Sequence, residues 1–197
     1  MSICHDKKLI FVHITKNAGT SIKQYFNRDD NLTDKFWKEY KEYYDRYWDS
    51  YTKFSIVRDP FSRFISIYKF ILGGPDVIPR IPHPSADLPE IGPTINEFAE
   101  YVYNNFNGRL FKWFLYPQHL FICEGNDIIV DEVIRYESLD KDLERIGIGG
   151  LPLLNKSKSL PAAQISMSED TKKKVYELYE KDFKIFGYSS YSRIVYK

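Results

Sequence analysis

The chain carries almost no net charge: 28 Lys and Arg stand against 27 Asp and Glu, a formal +1 over 197 residues. No overall field draws it toward nucleic acid or an anionic membrane, so an anion site has to be built locally and local basic clusters matter more than the total. Cysteine is scarce as well. Cys4 and Cys123 are the two thiols, and neither lies in a CxxC or His-rich setting that would suggest zinc or redox chemistry, so they read as two reduced and mostly buried thiols that need no oxidising compartment. No metal cluster is visible in the sequence. Nor does any apolar stretch near the N-terminus reach signal-peptide or membrane-span length, since Leu9 to Ile14 is one strand long and is flanked by Lys7, Lys8 and Lys16. No internal repeat is present. These absences predict a soluble protein without a membrane span, cytoplasmic if Met1 is the natural start.

What is present is apolar and aromatic. At 43% hydrophobic and 17% aromatic, the chain is long enough to bury one core and too short for two comfortable domains, so residues 1–197 are expected to form a single domain. Leu9 to Ile14 reads as a strand buried on both faces, Thr15 to Ser21 as a tight loop, and Ile22, Tyr25 and Phe26 as the start of a helix. The gap-free segment Asp34 to Tyr47 reads as a helix with an aromatic face. Phe54 to Val57 is a second buried strand, broken at Arg58-Asp59-Pro60, and Pro60 suits the first turn of a helix whose apolar stripe is Phe61, Phe64, Ile65, Tyr68 and Ile71.

Residues 73–93 are a Pro-rich irregular insertion with little periodicity. Thr94 and Glu97 form a capping box opening a helix with Phe98, Tyr101 and Val102; Leu120 to Cys123 and Val133 to Tyr136 read as further strands. Leu139 to Ile146 is expected as a helix stopped by Gly147, and Ser166 with Glu169 as a second capping box, opening a helix with Val175, Leu178, Tyr179 and Phe183 that ends at Gly187. Strands alternating with helices predict an α/β fold: a three-layer, P-loop-like domain with a central, largely parallel sheet flanked by helices. Ligands of such sheets bind beyond the carboxyl ends of the strands, where both the Thr15–Ser21 and Arg58–Arg63 loops lie.

A loop entering a helix N-terminus points backbone N–H groups and the positive end of the helix dipole at one spot. In Thr15-Lys16-Asn17-Ala18-Gly19-Thr20-Ser21, Gly19 permits close backbone approach, Thr20 and Ser21 add hydroxyls, and Lys16 adds a full charge. Taken alone, the same residues also read as an ordinary turn and N-cap. The nucleotide-kinase pattern GxxxxGK[ST] is missing, because the lysine precedes the glycine and no second glycine is present, which counts against ordinary ATP or GTP binding.

The run Phe11 to Ser21 resembles the 5′-phosphosulfate loop of sulfotransferases that use 3′-phosphoadenosine 5′-phosphosulfate (PAPS), above all the carbohydrate-type branch, although Thr15 stands where members of that family commonly have proline. Phe54 to Tyr68, a strand followed by Arg-Asp-Pro-x-x-Arg and a helix bearing Ser66, is similar to the family's 3′-phosphate segment. Tyr116-Pro117-Gln118, Ile134 to Leu139, Asn155-Lys156-Ser157 and Tyr179 to Tyr188 are similar to later landmarks, so the resemblance covers nearly the whole chain apart from the 73–93 excursion.

It implies that Lys16, Asn17, Ala18, Gly19, Thr20 and Ser21 hold the sulfate end of PAPS. Arg58 and Ser66, supported by Arg63, would bind the 3′-phosphate, and Lys156 and Ser157 would close over the nucleotide. Guanidinium and hydroxyl donors suit a phosphate dianion. By the same resemblance Lys16 stabilises the leaving nucleotide, PAP is the product, and no metal is needed.

The acceptor hydroxyl needs a general base. Many bacterial relatives have a histidine between the two loops, but the matching place here, Asn31-Leu32-Thr33, holds asparagine, which cannot take that role. His13, at the strand's carboxyl end, leads the alternatives, with His119, Asp29, Asp30, Asp34 and Glu39 also open; His5 and His83 lie in less constrained settings. A carbohydrate acceptor, glycosaminoglycan-like or another polysaccharide, would find aromatic faces in Tyr101, Tyr103, Trp113 and Tyr116 and basic groups in Arg80, Arg109 and Lys112, which otherwise read as core aromatics and scattered surface charge. Two other readings stand beside this one: a non-catalytic PAPS- or glycan-binding relative, and a nucleotide or small-molecule kinase.

Overall fold

Parallel pairing forms where the chain offers uninterrupted apolar runs. In the computed structural model, which describes residues 2–26, 35–72, 94–106, 114–151 and 160–190, β1 (Ile3–Cys4) lies antiparallel to β2 (Leu9–Phe11), and β2, β3 (Thr52–Val57) and β6 (Glu132–Arg135) run parallel in the order β1-β2-β3-β6. Phe11 pairs with Phe54, and Val57 with Arg135, so the carboxyl ends of β2 and β3 are neighbours. Alternation sends Leu9, Phe11, Phe54, Ile56 and Ile134 into one core, where they meet Ile22 and Phe26 at α1 (Gly19–Tyr25) and Leu139 and Leu143 of α7 (Leu139–Arg145). Ile10, Ser55 and Val57 face the other way and are also buried, as expected of a sheet covered on both sides.

The sheet belongs to one of two compact units, Met1–Asp59 with Pro117–Asn155. This unit also contains α2 (Trp37–Tyr43), α3 (Asp45–Trp48), α6 (His119–Ile122) and the short antiparallel pair β4 (Cys123–Glu124) and β5 (Asp127–Ile128). The second unit, Pro60–Tyr116 with Lys156–Lys197, is helical in its described residues: α4 (Pro60–Leu72), α5 (Ile95–Asn105), α8 (Ala162–Ile165) and α9 (Glu169–Phe186). Its core combines rings with aliphatic side chains: Phe61, Phe64, Tyr68, Phe98, Tyr179 and Phe183 are buried beside Ile67, Ile95 and Val175. Pro60 opens α4, the Thr94–Glu97 capping box opens α5, and Gly187 closes α9 in the left-handed conformation at φ 64°.

Three expected elements form differently. Leu120 to Cys123 is not a strand: residues 119–122 make a helical turn, and strand pairing begins only at Cys123. A short apolar run carries no period that separates the two, and here Pro117 and Gln118 start a turn by accepting the N–H groups of Leu120 and Phe121. The cap of the last helix is Ser168 and not Ser166, because Asn96 takes Ser168 N–H (3.0 Å) and donates to Ser166 O (3.2 Å), fixing both residues ahead of the helix. The long aromatic helix breaks at Tyr44 (φ −112°), whose hydroxyl accepts from Ser2 N–H at 3.2 Å. The 73–93 insertion lies outside the described residues.

Candidate active site

Beyond Phe11 the chain continues beside β3 without strand geometry of its own. Val12 N–H donates to Phe54 O (2.9 Å), Ser55 Oγ donates to Val12 O (2.7 Å), and Asn17 Nδ2 donates to Ile56 O (2.8 Å). The loop is thereby held along the carboxyl end of its neighbouring strand. It turns through two left-handed residues, neither of them glycine: Lys16 at φ 68° and Ala18 at φ 59°. For a side chain with a Cβ this conformation costs roughly 1–2 kcal/mol per residue, and such strain collects where a backbone shape is needed for function.

Ala18 is also the N-cap of α1 and has no side-chain acceptor to offer the first-turn N–H groups. Side-chain caps are built on an N-cap residue with extended backbone, which the left-handed Ala18 does not have, so the first-turn N–H groups face whatever lies ahead of the helix. Gly19 is required by close contact, since a Cβ built there would lie 1.8 Å from His13 Nε2. The imidazole of His13, a buried residue, thus lies directly against the start of α1. Its backbone N–H donates to Tyr40 Oη at 3.2 Å. Thr20 is exposed, Lys16 is half-buried and Ser21 is buried.

Arg58, the first residue after β3, turns its guanidinium back toward this loop. Nη1 donates to Lys16 O at 3.4 Å, and the guanidinium carbon sits 4.2 Å from the centroid of the Tyr136 ring, a cation–π contact that fixes the plane of the fork. Asp59 N–H donates to Glu137 Oε1 (2.7 Å), so the residues after β6 anchor the chain as it leaves β3. Lys16, Asn17, Ala18, Gly19, Thr20, Ser21 and Arg58 therefore gather at the ends of two adjacent parallel strands, and His13 stands with them. This places two cations and a set of oriented N–H donors in one neighbourhood, the composition an anionic ligand requires.

The family model of the sulfotransferase family matches residues 1–189. This chain belongs to the sulfotransferase family. No curated protein and no solved structure gives a significant match.

The other expected site residues that are described each have surroundings of their own. Ser66 is a buried residue of α4 in the helical unit, and Arg63 of the same helix, 2% exposed, donates to Tyr116 O and Phe114 O, both at 3.0 Å. Glu39 accepts from Phe36 N–H (2.6 Å) and so caps α2. His119 is buried at the start of α6, and His5 pairs through Nδ1 with the Tyr51 hydroxyl at 3.0 Å. Tyr103 donates to Glu177 (2.5 Å) in the helical unit, where Tyr101 and Tyr116 also lie. Lys156, Ser157, Asp29, Asp30, Asn31, Asp34, Arg80, His83, Arg109, Lys112 and Trp113 lie outside the described residues. Among the described residues no helix is long and apolar enough to cross a membrane, and no group of three or more His, Cys, Asp or Glu is placed to hold a metal ion.

Sequence reasoning passed over Tyr136, Glu137 and Gln118 as site residues, although each falls within a stretch that resembles the family. The available signal was chemical: Gln118 is an amide set between Pro117 and the apolar stretch that follows.

Proposed function

We propose that this sulfotransferase moves a sulfuryl group from PAPS to a hydroxyl of a carbohydrate, a glycosaminoglycan-like or other polysaccharide, by in-line displacement. The observation that carries the reading is the Lys16–Gly19 loop: two left-handed residues, a helix start without a side-chain cap, and the Arg58 guanidinium bonded to the Lys16 carbonyl. The residues present fit a polyanionic donor, with Lys16 and the N–H groups of Gly19 to Ser21 for its sulfate end and Arg58 for its 3′-phosphate; Ser66, Lys156 and Ser157 belong to the same reading through family resemblance. When bound, PAPS supplies an activated sulfur, and transfer makes one S–O bond to the acceptor oxygen while breaking the S–O bond to the 5′-phosphate, leaving PAP.

Positioning and charge stabilisation do most of the work in such a displacement. Lys16 meets the negative charge that grows on the leaving phosphate oxygen. His13, packed against Gly19, takes the acceptor's proton and heads the bases ahead of His119, the helix-capping Glu39 and the carboxylates of Asp29, Asp30 and Asp34. The continuous family match from residue 1 to 189 supports treating both compact units as one catalytic domain of the three-layer, P-loop-like kind.

Thermal shift with adenosine 3′,5′-bisphosphate (PAP) against ATP tests the donor half: PAP should raise the melting temperature and ATP should not. Transfer of labelled sulfate from PAPS to a panel of glycans tests the acceptor half. Stabilisation by PAP without transfer to any glycan or other hydroxyl would make this a binding relative. Stabilisation by ATP alone would overturn the donor assignment.

A further inference from the structure

Two side-chain amides join the loops that carry Lys16 and Arg58. Gln118 and Asn17 are both fully buried, and Gln118 Oε1 accepts from Asn17 Nδ2 at 2.8 Å and from Arg58 N–H at 2.9 Å. Gln118 Nε2 donates to Arg58 O at 2.8 Å, and the second hydrogen on Asn17 Nδ2 goes to Ile56 O at 2.8 Å. Gln118 thus pairs with both main-chain groups of Arg58 much as a neighbouring strand would, at the point where the pairing of β3 with β6 has ended at Val57 and Arg135.

Each amide has one possible orientation. Turning Asn17 over would set its oxygen against the Ile56 carbonyl and Gln118 Oε1, and turning Gln118 over would set N–H against N–H and oxygen against oxygen at Arg58. Asn17 lies between the two left-handed residues Lys16 and Ala18, so the bond from position 118 grips the loop at its most strained point. The grip has a cost, because Asn17 Oδ1 is buried with no hydrogen-bond partner among the described residues. An amide retained for stability alone would be expected to satisfy that atom.

We infer that Gln118, acting through Asn17 and the Arg58 main chain, is a positioning residue that sets the spacing between the Lys16 loop and Arg58 and thereby tunes the site for a ligand with two separated anionic groups. This rests on the donor-binding reading above. Gln118 itself touches neither ligand nor reacting atoms; an apolar side chain of similar length would fill the same volume and lose the register.

The test is a double-mutant cycle on the full chain, with PAP binding measured by calorimetry for wild type, Gln118→Met, Arg58→Ala and the double variant. Hydrogen exchange on the ligand-free proteins runs alongside it. Gln118→Met should weaken PAP binding by about ten- to a hundredfold, the scale on which small misplacements act, yet have less than about a twofold further effect in the Arg58→Ala background, where no guanidinium is left to place. Exchange should quicken together at residues 16–19 and 58–59.

If Gln118→Met does not fold, Asn17→Ala enters the same cycle, with a smaller loss expected because the Gln118–Arg58 pairing survives. Equal losses in both backgrounds, or unchanged affinity and exchange, would overturn the inference and leave the donor assignment intact. Wild type failing to bind PAP while the two loops still exchange as one would sink the donor assignment and support the mechanical coupling.

Discussion

The end of β3 and the interior of the helical unit hold their buried side chains with different chemistry, although the sheet unit has a ring-containing core as well, with Phe11 5.0 Å from Phe54. Around the end of β3, the buried side chains that organise the chain are amides and a hydroxyl: Asn17, Gln118 and Ser55, each fully buried and each bonded to main-chain atoms of a neighbouring segment. In the helical unit the same task falls to rings. Phe64 lies 5.0 Å from Phe98 and Phe61 the same distance from Phe183, and the buried Arg63 donates to two backbone carbonyls. Hydrogen bonds exchanged with water on unfolding give little net cohesion but allow few geometries, whereas ring burial gives much cohesion and tolerates several. A region that must hold two loops in one register therefore uses the first, and a region that supplies bulk stability uses the second.

The largest effect should come from removing a ring. Phe64→Ala should lower the unfolding free energy by about 3–5 kcal/mol, read from the urea midpoint of the full chain; a loss below about 1 kcal/mol would mean the rings are not what holds the helical unit. In the loop the large effect should be on rate instead. Lys16→Ala should reduce kcat for sulfuryl transfer by about 10²–10³-fold, and Lys16→Gly should do the same while leaving stability unchanged or raising it by about 1 kcal/mol, because glycine adopts φ 68° without strain. Full turnover in Lys16→Gly would mean that the shape of the loop backbone, and not the lysine charge, serves the transfer.

Smaller, but in both readouts, is Gly19→Ala. The new methyl would displace His13, so a loss of about 1–3 kcal/mol should accompany lost activity. Gly149→Ala, which meets nothing within 4 Å, serves as the control and should change stability by less than about 0.5 kcal/mol. The smallest effect belongs to Tyr179, whose hydroxyl donates to Leu115 O at 2.9 Å. Burial pushes its pKa above the ordinary 10.0, against the pull of Arg63. The folded chain keeps this proton where the unfolded chain loses it, so the contribution is intact below pH 10.0 and declines as pH rises beyond it. Tyr179→Phe should flatten that decline in alkaline unfolding curves, and it should cost about 1 kcal/mol at neutral pH.

Strand, loop and helix could be read in order at Leu9 to Ser21 and at Phe54 to Tyr68 because each signal is local: an apolar run, a breaker, then an apolar stripe at helical spacing. The stops at Gly147 and Gly187 and the Thr94 cap could be read for the same reason. Leu120 to Cys123 could not, since a run that short fits either period. Ser166 also misled: as a cap it obeys the local rule, and it loses to Ser168 only because Asn96, seventy-two positions earlier, binds the segment from outside. The left-handed backbone at Lys16 and Ala18 was hidden too, since neither residue advertises it as glycine does.

The sequence alone determined that Lys16 and Arg58 would stand at the carboxyl ends of two strands, because strand, turn and helix are set by neighbours a few residues away, whereas the pairing of those strands as neighbours came from the tertiary structure. Only the tertiary structure decided how those ends are tied. The bond from Asn17 to Gln118 joins positions 101 apart, and which distant amide meets a buried carbonyl depends on how the intervening chain packs, which no local pattern encodes.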